Sequence, residues 1–334
     1  MRITNPKINL KTFVVCFEKK CRYLNQEACE GENLMTAAQY VSQYHSISVP
    51  EYRMQNGEMR ASQFTNAPVD EYLNLKHTNR AGYTHNQRMK FRQGLCDFLA
   101  EHAIRPDTPV YKIGKGYKII NSVLPCAYVD DDMFMSAFVG KAPPETLYSV
   151  IQALSYWRGW RVLEEGTPPS LARLVDMFLG ADCNGFVGNY LKEKYKANAF
   201  RLGPSSAEED YFYNRDEIRD NGTEIRADDV VLLNRTPDPK KGEVKVNWDL
   251  PRNSLEDELS LRRFLIGHIM VISSVGNVSD KTASVMISES ATSAIENGGP
   301  RTTAQTLQRI GTYRWKILGK DREVHSVIKV KRTG

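Results

Sequence analysis

The spacing of apolar residues changes character along this chain. In the first two-thirds the clearest signals recur every three or four positions, the period of a half-buried helix; later they alternate or run together, as in strands. Asn33–Tyr44 and Gln87–His102 read as helices, the second with Leu95, Phe98, Leu99 and Ala103 on one face. Residues 46–86 between them are polar and tyrosine-rich with weak periodicity, which predicts loops or short strands. Val110–Ile120 predicts a hairpin around Gly114 and Gly116. Glu145–Trp160 predicts an amphipathic helix through Leu147, Val150, Ile151, Leu154 and Trp157. Ser170–Leu179 predicts a short helix, Cys183 to Tyr195 another, and Ala207–Asp220 a charged, exposed one.

Beyond that point strands dominate. Val230–Asn234, Lys245–Trp248, Phe264–Ser273, Ser284–Ser288, Thr312–Leu318 and Glu323–Lys331 are the expected strands, with Gly319-Lys320-Asp321 turning the last hairpin. Ser254–Arg263 interrupts them as a helix capped by Ser254 and Asp257. Helices followed by a strand meander predict an α+β fold. The proline pair in Gly140-Lys-Ala-Pro-Pro-Glu145 marks the expected boundary. It separates a mixed N-terminal domain, 1–140, of docking or targeting character, from a second domain over 146–334.

Composition is that of an ordinary globular chain: 334 residues, 41% hydrophobic and 25% charged. No run approaches the roughly 18–20 apolar residues that cross a bilayer. The patch Thr12–Phe17 is too short for a signal-peptide core, so the expectation is synthesis in the cytoplasm without a cleaved signal. Net charge is +5, and Lys and Arg are interspersed with Asp and Glu instead of forming a stripe, which argues against nucleic acid as partner. Of six cysteines, Cys16, Cys21, Cys29, Cys96 and Cys126 fall in the first half with poor zinc spacing. Free thiols are expected, or a disulfide within the first thirty residues in an oxidising compartment. Neither a metal nor an organic cofactor is expected.

Cys183 stands apart. In Asp182-Cys183-Asn184-Gly185-Phe186-Val187 a thiol opens a helix just after a turn, followed by the apolar stripe Phe186, Val187, Tyr190, Leu191. Unpaired N–H groups and the positive helix end favour thiolate over thiol there. A nucleophile needs a base. His268 lies downstream in the apolar β run Phe264–Ser273, where an imidazole is costly unless its nitrogens are paired. The next strand ends in Ser288, Glu289 and Ser290, with Glu289 on the opposite face from the serines. Glu289 is the favoured group to orient the imidazole and Ser288 the alternative.

The Asp-Cys-Asn-Gly-Phe-Val segment resembles the Asp-Cys-Ser-Gly-Phe/Leu-Val signature of the NlpC-type cysteine peptidases, papain-like enzymes that cut peptidoglycan stem peptides, with amidase relatives. Their order is a nucleophile helix, a Gly-Asp-Leu-Val strand, a His-Val-Gly-Ile strand and a strand with a third polar residue. Asp228–Leu232, His268–Ile272 and Met286–Glu289 follow Cys183 in that order. The resemblance covers roughly 146–334 and implies a papain-like cysteine hydrolase domain, a helix-borne cysteine packed on an antiparallel sheet. It implies no cofactor and a peptidoglycan peptide as substrate. Asn184 replaces the usual serine, an exchange between two capping residues. The family's Tyr-x-Trp-Gly-Gly stretch is missing before the cysteine, and Tyr156-Trp157-Arg158-Gly159-Trp160 lies too far upstream to stand for it, so the oxyanion-side tyrosine is left unassigned; the third position lacks the common histidine. Without a signal peptide, a wall-cutting toxin delivered by a contact-dependent machine, with a carrier and an inhibitory partner, is one implied setting. The alternatives are an acyltransferase or deamidase on a protein or lipid, and a non-catalytic papain-like binding protein.

Overall fold

The structure, a computed structural model, describes residues 35–56, 58–73, 81–102, 110–113, 116–120, 128–129, 131–164, 168–195, 207–212, 218–234, 266–292, 298–320 and 323–330. Its centre is a closed antiparallel barrel. Six strands form it: β6 (Val230–Asn234), β7 (Ile266–Val278), β8 (Thr282–Ala291), β9 (Gly299–Gly311), β10 (Arg314–Ile317) and β11 (Glu323–Ile328). They pair in the order β10-β11-β6-β7-β8-β9, each neighbour antiparallel. Closure leaves no unpaired edge. Strand alternation sends Val231, Leu233, Met270, Ile272, Val285 and Ile287 into one apolar core with Leu307 and Trp315. The Trp315 indole N–H, deep in the fold, donates to the Arg219 carbonyl at 3.0 Å, so no polar atom of that ring is left bare.

β9 is the strand that apolar patterning missed. Most of its residues are half-buried and polar, and Leu307 is its contribution to the core cluster. Its ladder comes from position instead: it pairs with β8 from Thr282↔Gln308 to Ala291↔Gly299 and with β10 beyond the turn. The expected strands Lys245–Trp248 and helix Ser254–Arg263 lie outside the described residues.

Helices precede the barrel. α1 (Ala37–His45) begins with a capping box between Thr36 and Gln39 and packs against β7, β8 and β9. β1 (Ser48–Gln55) and β2 (Glu58–Asn66) form an antiparallel pair where loops or short strands were expected. α2 (His85–His102) follows, then the small sheet β3 (Val110–Ile113), β4 (Gly116–Ile120) and β5 (Tyr128–Val129), which contains the expected hairpin. α3 (Asp131–Phe138), α4 (Pro144–Glu164), α5 (Leu171–Phe178), α6 (Cys183–Tyr195) and α7 (Ala207–Phe212) complete the helical part. The helix expected over Ala207–Asp220 is shorter, because Ile218 is already extended and bridged to Ile328.

Residues 36–334 cluster as one compact unit, with contacts that run across the expected boundary at 140. The Tyr44 hydroxyl donates to Ala142 O, Ser155 Oγ donates to Pro50 O at 2.7 Å, and the backbone of Leu73 donates to Ala181 O. The proline pair has a local meaning as well: Pro144 opens α4, where its missing N–H costs nothing. Residues 1–34, with Cys16, Cys21 and Cys29, lie outside the described residues, as does Cys126.

Candidate functional site

The strand segment ahead of Cys183 is held by backbone contacts. Ala181 N donates to Glu71 O at 3.1 Å, Leu73 N donates to Ala181 O at 3.3 Å, and Tyr72 and Ala181 form a parallel bridge. Asp182 N donates to Gly140 O at 2.9 Å. The chain then turns into α6 at Cys183. Asp182 supplies the cap, its Oδ1 accepting from Gly185 N at 2.7 Å and its carbonyl from Phe186 N at 2.9 Å. Asn184, expected to cap, does something else: it exchanges two hydrogen bonds with Glu208, at 2.7 and 3.1 Å, and so ties α7 to α6.

Packing here is close enough to require glycine. A Cβ on Gly185 would sit 2.2 Å from Gly140 O, and one on Gly180 would sit 2.7 Å from Glu71 O. Lys141 Nζ reaches Asp182 Oδ2 at 2.5 Å. Burial lifts the Asp182 carboxyl above its usual range, with Lys141 pulling the other way. The far end of α6 is anchored on Asp228, just ahead of β6. Tyr190, Lys194 and Tyr195 all donate to its carboxylate, at 2.5, 2.8 and 2.5 Å. Helix and barrel are thereby fixed at both ends of the thirteen-residue helix.

His268 comes from the other side. It is in phase with Met270 and Ile272 on β7, and Glu289 is in phase with Ile287 and Val285 on β8. Both therefore continue the inward face of the barrel where its apolar filling ends. His268 Nε2 lies 2.8 Å from Glu289 Oε2, and the ring is near enough to the Cys183 side chain for the two to interact electrostatically. With Nε2 on the carboxylate, Nδ1 is left for the sulfur. All three side chains are buried. From β9, directly across from Glu289, Arg301 donates through Nε and Nη2 to Glu289 Oε1, at 3.1 and 3.0 Å.

Ser288 is not part of this chain of contacts. It faces the opposite side of β8 and hydrogen-bonds Ser273 Oγ at 2.5 Å and Thr302 Oγ1 at 2.7 Å. Ser290 shares that side and donates to Ala181 O at 2.7 Å, pinning the strand ahead of the cysteine to β8.

The electrostatics follow from the pairing. Burial alone would depress the His268 imidazole; its interactions with Cys183 and Glu289 outweigh burial and raise it from 6.5 to about 10. Burial would raise the Glu289 carboxyl, yet His268 and Arg301 bring it down from 4.5 to about 2. Such an arrangement holds an imidazolium between a sulfur and a carboxylate. The ring there carries the proton given up by the thiol and can deliver it elsewhere.

Cys183, His268 and Glu289 are thus brought together, and Ser288 is not. Apolar patterning missed Arg301, which sits on the unrecognised β9, and missed the segment 71–73, which is held to Ala181 by its backbone. Among the described residues no group of three or more His, Cys, Asp and Glu is placed to hold a metal ion. No helix among them is long and apolar enough to cross a membrane. No protein-family model, curated protein or solved structure matches this chain.

Proposed function

We propose that this chain is a thiol hydrolase of amide bonds, in which Cys183 is the nucleophile, His268 the proton carrier and Glu289 the group that holds the imidazole. One observation carries the reading: a buried imidazole is hydrogen-bonded to a buried carboxylate and interacts electrostatically with the buried cysteine that opens α6. The Cys183 sulfur, its proton already held by His268, attacks the amide carbonyl carbon as thiolate. The tetrahedral oxyanion is met by the backbone N–H of Cys183 at the helix start. His268 then protonates the leaving amine, and the C–N bond breaks to give a thioester. His268 next takes a proton from water, which attacks the thioester. The carboxylic acid is released and the thiol is restored. Every proton in this cycle moves through one ring.

The fold is proposed to be papain-like in its working part: α6 against β7 and β8, with β6, β7 and β8 following the nucleophile in chain order. That succession is the one the Asp-Cys-Asn-Gly-Phe-Val resemblance implies, and barrel closure through β9, β10 and β11 is additional to it. The same resemblance supports peptidoglycan stem peptides as substrate. Incubation of purified wall fragments with the protein, followed by mass spectrometry, tests this. New stem-peptide pieces carrying one added water are expected, and none with Cys183→Ala. Transfer of an acyl group to an amine without water uptake would point to an acyltransferase instead. No change in any fragment at high enzyme concentration would reject the substrate class.

A further inference from the structure

Glu289 has two oxygens, and they are used separately. Oε2 meets His268 Nε2, while Oε1 takes both donors of Arg301. Glutamate is a long side chain with several rotatable bonds, so a single contact to an imidazole would leave its head group free to turn. The second contact removes that freedom. Arg301 is itself delivered accurately. Its strand pairs Arg301 directly with Glu289, and the two residues before it are fixed from elsewhere. His45 Nε2, at the end of α1, lies 2.8 Å from the Pro300 carbonyl oxygen. Gly299 adopts φ +112°, with Asp70 so close that a Cβ would lie 1.7 Å from its carbonyl oxygen.

We propose that Arg301 is a positioning residue, holding the Glu289 carboxylate so that one oxygen is presented to His268 and the Cys183–His268 pair keeps its protonated ring. This rests on Cys183, His268 and Glu289 acting together as proposed above. The guanidinium touches neither sulfur nor imidazole and acts through Glu289. Its side chain is 33% exposed, against 5% for Glu289, so the pair is shielded on the carboxylate side. The groups that act on His268 are Cys183 from α6 and Glu289 from β8, with Arg301 from β9 reaching it at one remove.

Two effects of removing Arg301 oppose each other, which makes the sign informative. As a bare positive charge, Arg301 would disfavour imidazolium, and its loss would raise the His268 titration. As the clamp on Glu289, its loss lets the carboxylate turn away, and the titration falls. The experiment follows the His268 ring by NMR in histidine-labelled full-length protein, the signal assigned by its disappearance in His268→Ala. In Arg301→Met the midpoint is expected to fall by about one unit or more, with Arg301→Lys between this and the unsubstituted chain. In Glu289→Gln it also falls, and adding Arg301→Met to that variant produces no further fall. A rise in Arg301→Met, an unchanged midpoint, or equal additive shifts in the double variant would each overturn the proposal. Should Arg301→Met not fold, Arg301→Gln is read by the same criteria. Because the titration needs no substrate, its failure is separate from any failure to cut wall peptides.

Discussion

The two sides of the candidate site are built in different ways. The helix side, from Gly140 and the 71–73 segment to Cys183, is assembled by backbone proximity: short main-chain hydrogen bonds and glycines with no room for a Cβ. The barrel side, from His268 through Glu289 to Arg301, is assembled by charged side chains on three neighbouring strands. The first side is therefore set mainly by volume, and the second mainly by charge. Cys183, the proposed nucleophile, stands where they meet.

The largest expected effect belongs to that junction. Cys183→Ala should reduce turnover by on the order of 10⁴-fold or more, because the covalent step disappears. Thermal unfolding should move little, since a small side chain leaves a small void. In the unsubstituted protein Cys183 should react with iodoacetamide near neutral pH faster than the other five thiols. A rate equal to theirs would favour a binding protein over an enzyme. Unfolding as severe as the activity loss would mean that the sulfur is structural.

Next comes a pair of substitutions that separates volume from backbone conformation. Gly185→Ala brings a methyl to 2.2 Å from Gly140 O and should destabilise by about 4 kcal/mol or more, with loss of the folded state as a plausible endpoint in urea titration. Gly319→Ala is the control: φ is +77°, but nothing lies within 4 Å of the added atom. Backbone strain of about 1–2 kcal/mol is expected there. Equal costs would show that the helix side is not limited by space.

How much of this was legible follows the same division. Cys183 declared itself because a thiol before an amphipathic stripe is an unusual way to start a helix. His268 and Glu289 declared themselves because polar groups interrupt apolar strands only when they have partners. Strand alternation also separated Glu289 from Ser288 correctly, without saying which face looked at the imidazole; the answer required knowing that the inward face ends at the site. Arg301 was hidden because β9 is a strand of half-buried polar residues, stabilised by its neighbours and not by its own pattern. The 71–73 segment was hidden for a deeper reason. It reaches Ala181 through N–H and C=O groups, which every residue carries, so its sequence holds no mark of the contact. The proline pair before Glu145 has a local reading as well, because Pro144 opens a helix and proline signals a helix start as readily as a domain boundary.

A third expected effect concerns charge on the barrel side. In Glu289→Gln the amide can satisfy His268 or Arg301 but not both with the right polarity, so turnover should fall roughly 10²- to 10⁴-fold. Stability should respond to pH in a defined window. Glu289, lowered from 4.5 to about 2 in the fold, adds stability above 4.5 that is lost as pH falls through about 2. His268, raised from 6.5 to about 10, adds stability below 6.5 that is lost as pH rises through about 10. The pair therefore contributes fully between 4.5 and 6.5. The gap in urea midpoint between the unsubstituted protein and Glu289→Gln should be widest there and narrow towards either extreme. A gap independent of pH would mean that the pair is held by packing, like the helix side.

The smallest effect is expected at Ser288, and it sharpens the contrast because Ser288 is the immediate neighbour of Glu289. Its hydroxyl bridges Ser273 and Thr302 on the face turned away from His268. Ser288→Ala removes that bridge and leaves two hydroxyls to find other partners, a cost of about 1–2 kcal/mol. Turnover and the pH profile should stay within about twofold of the unsubstituted protein, since the Glu289 oxygens keep both partners. If Ser288→Ala instead shifted the pH profile as Glu289→Gln does, the two faces of β8 would be coupled through the strand. Register between β8 and β9, which Ser288 and Thr302 share with Glu289 and Arg301 one residue along, would then be the physical link. The contrast between a side set by volume and a side set by charge would then fail at its narrowest point.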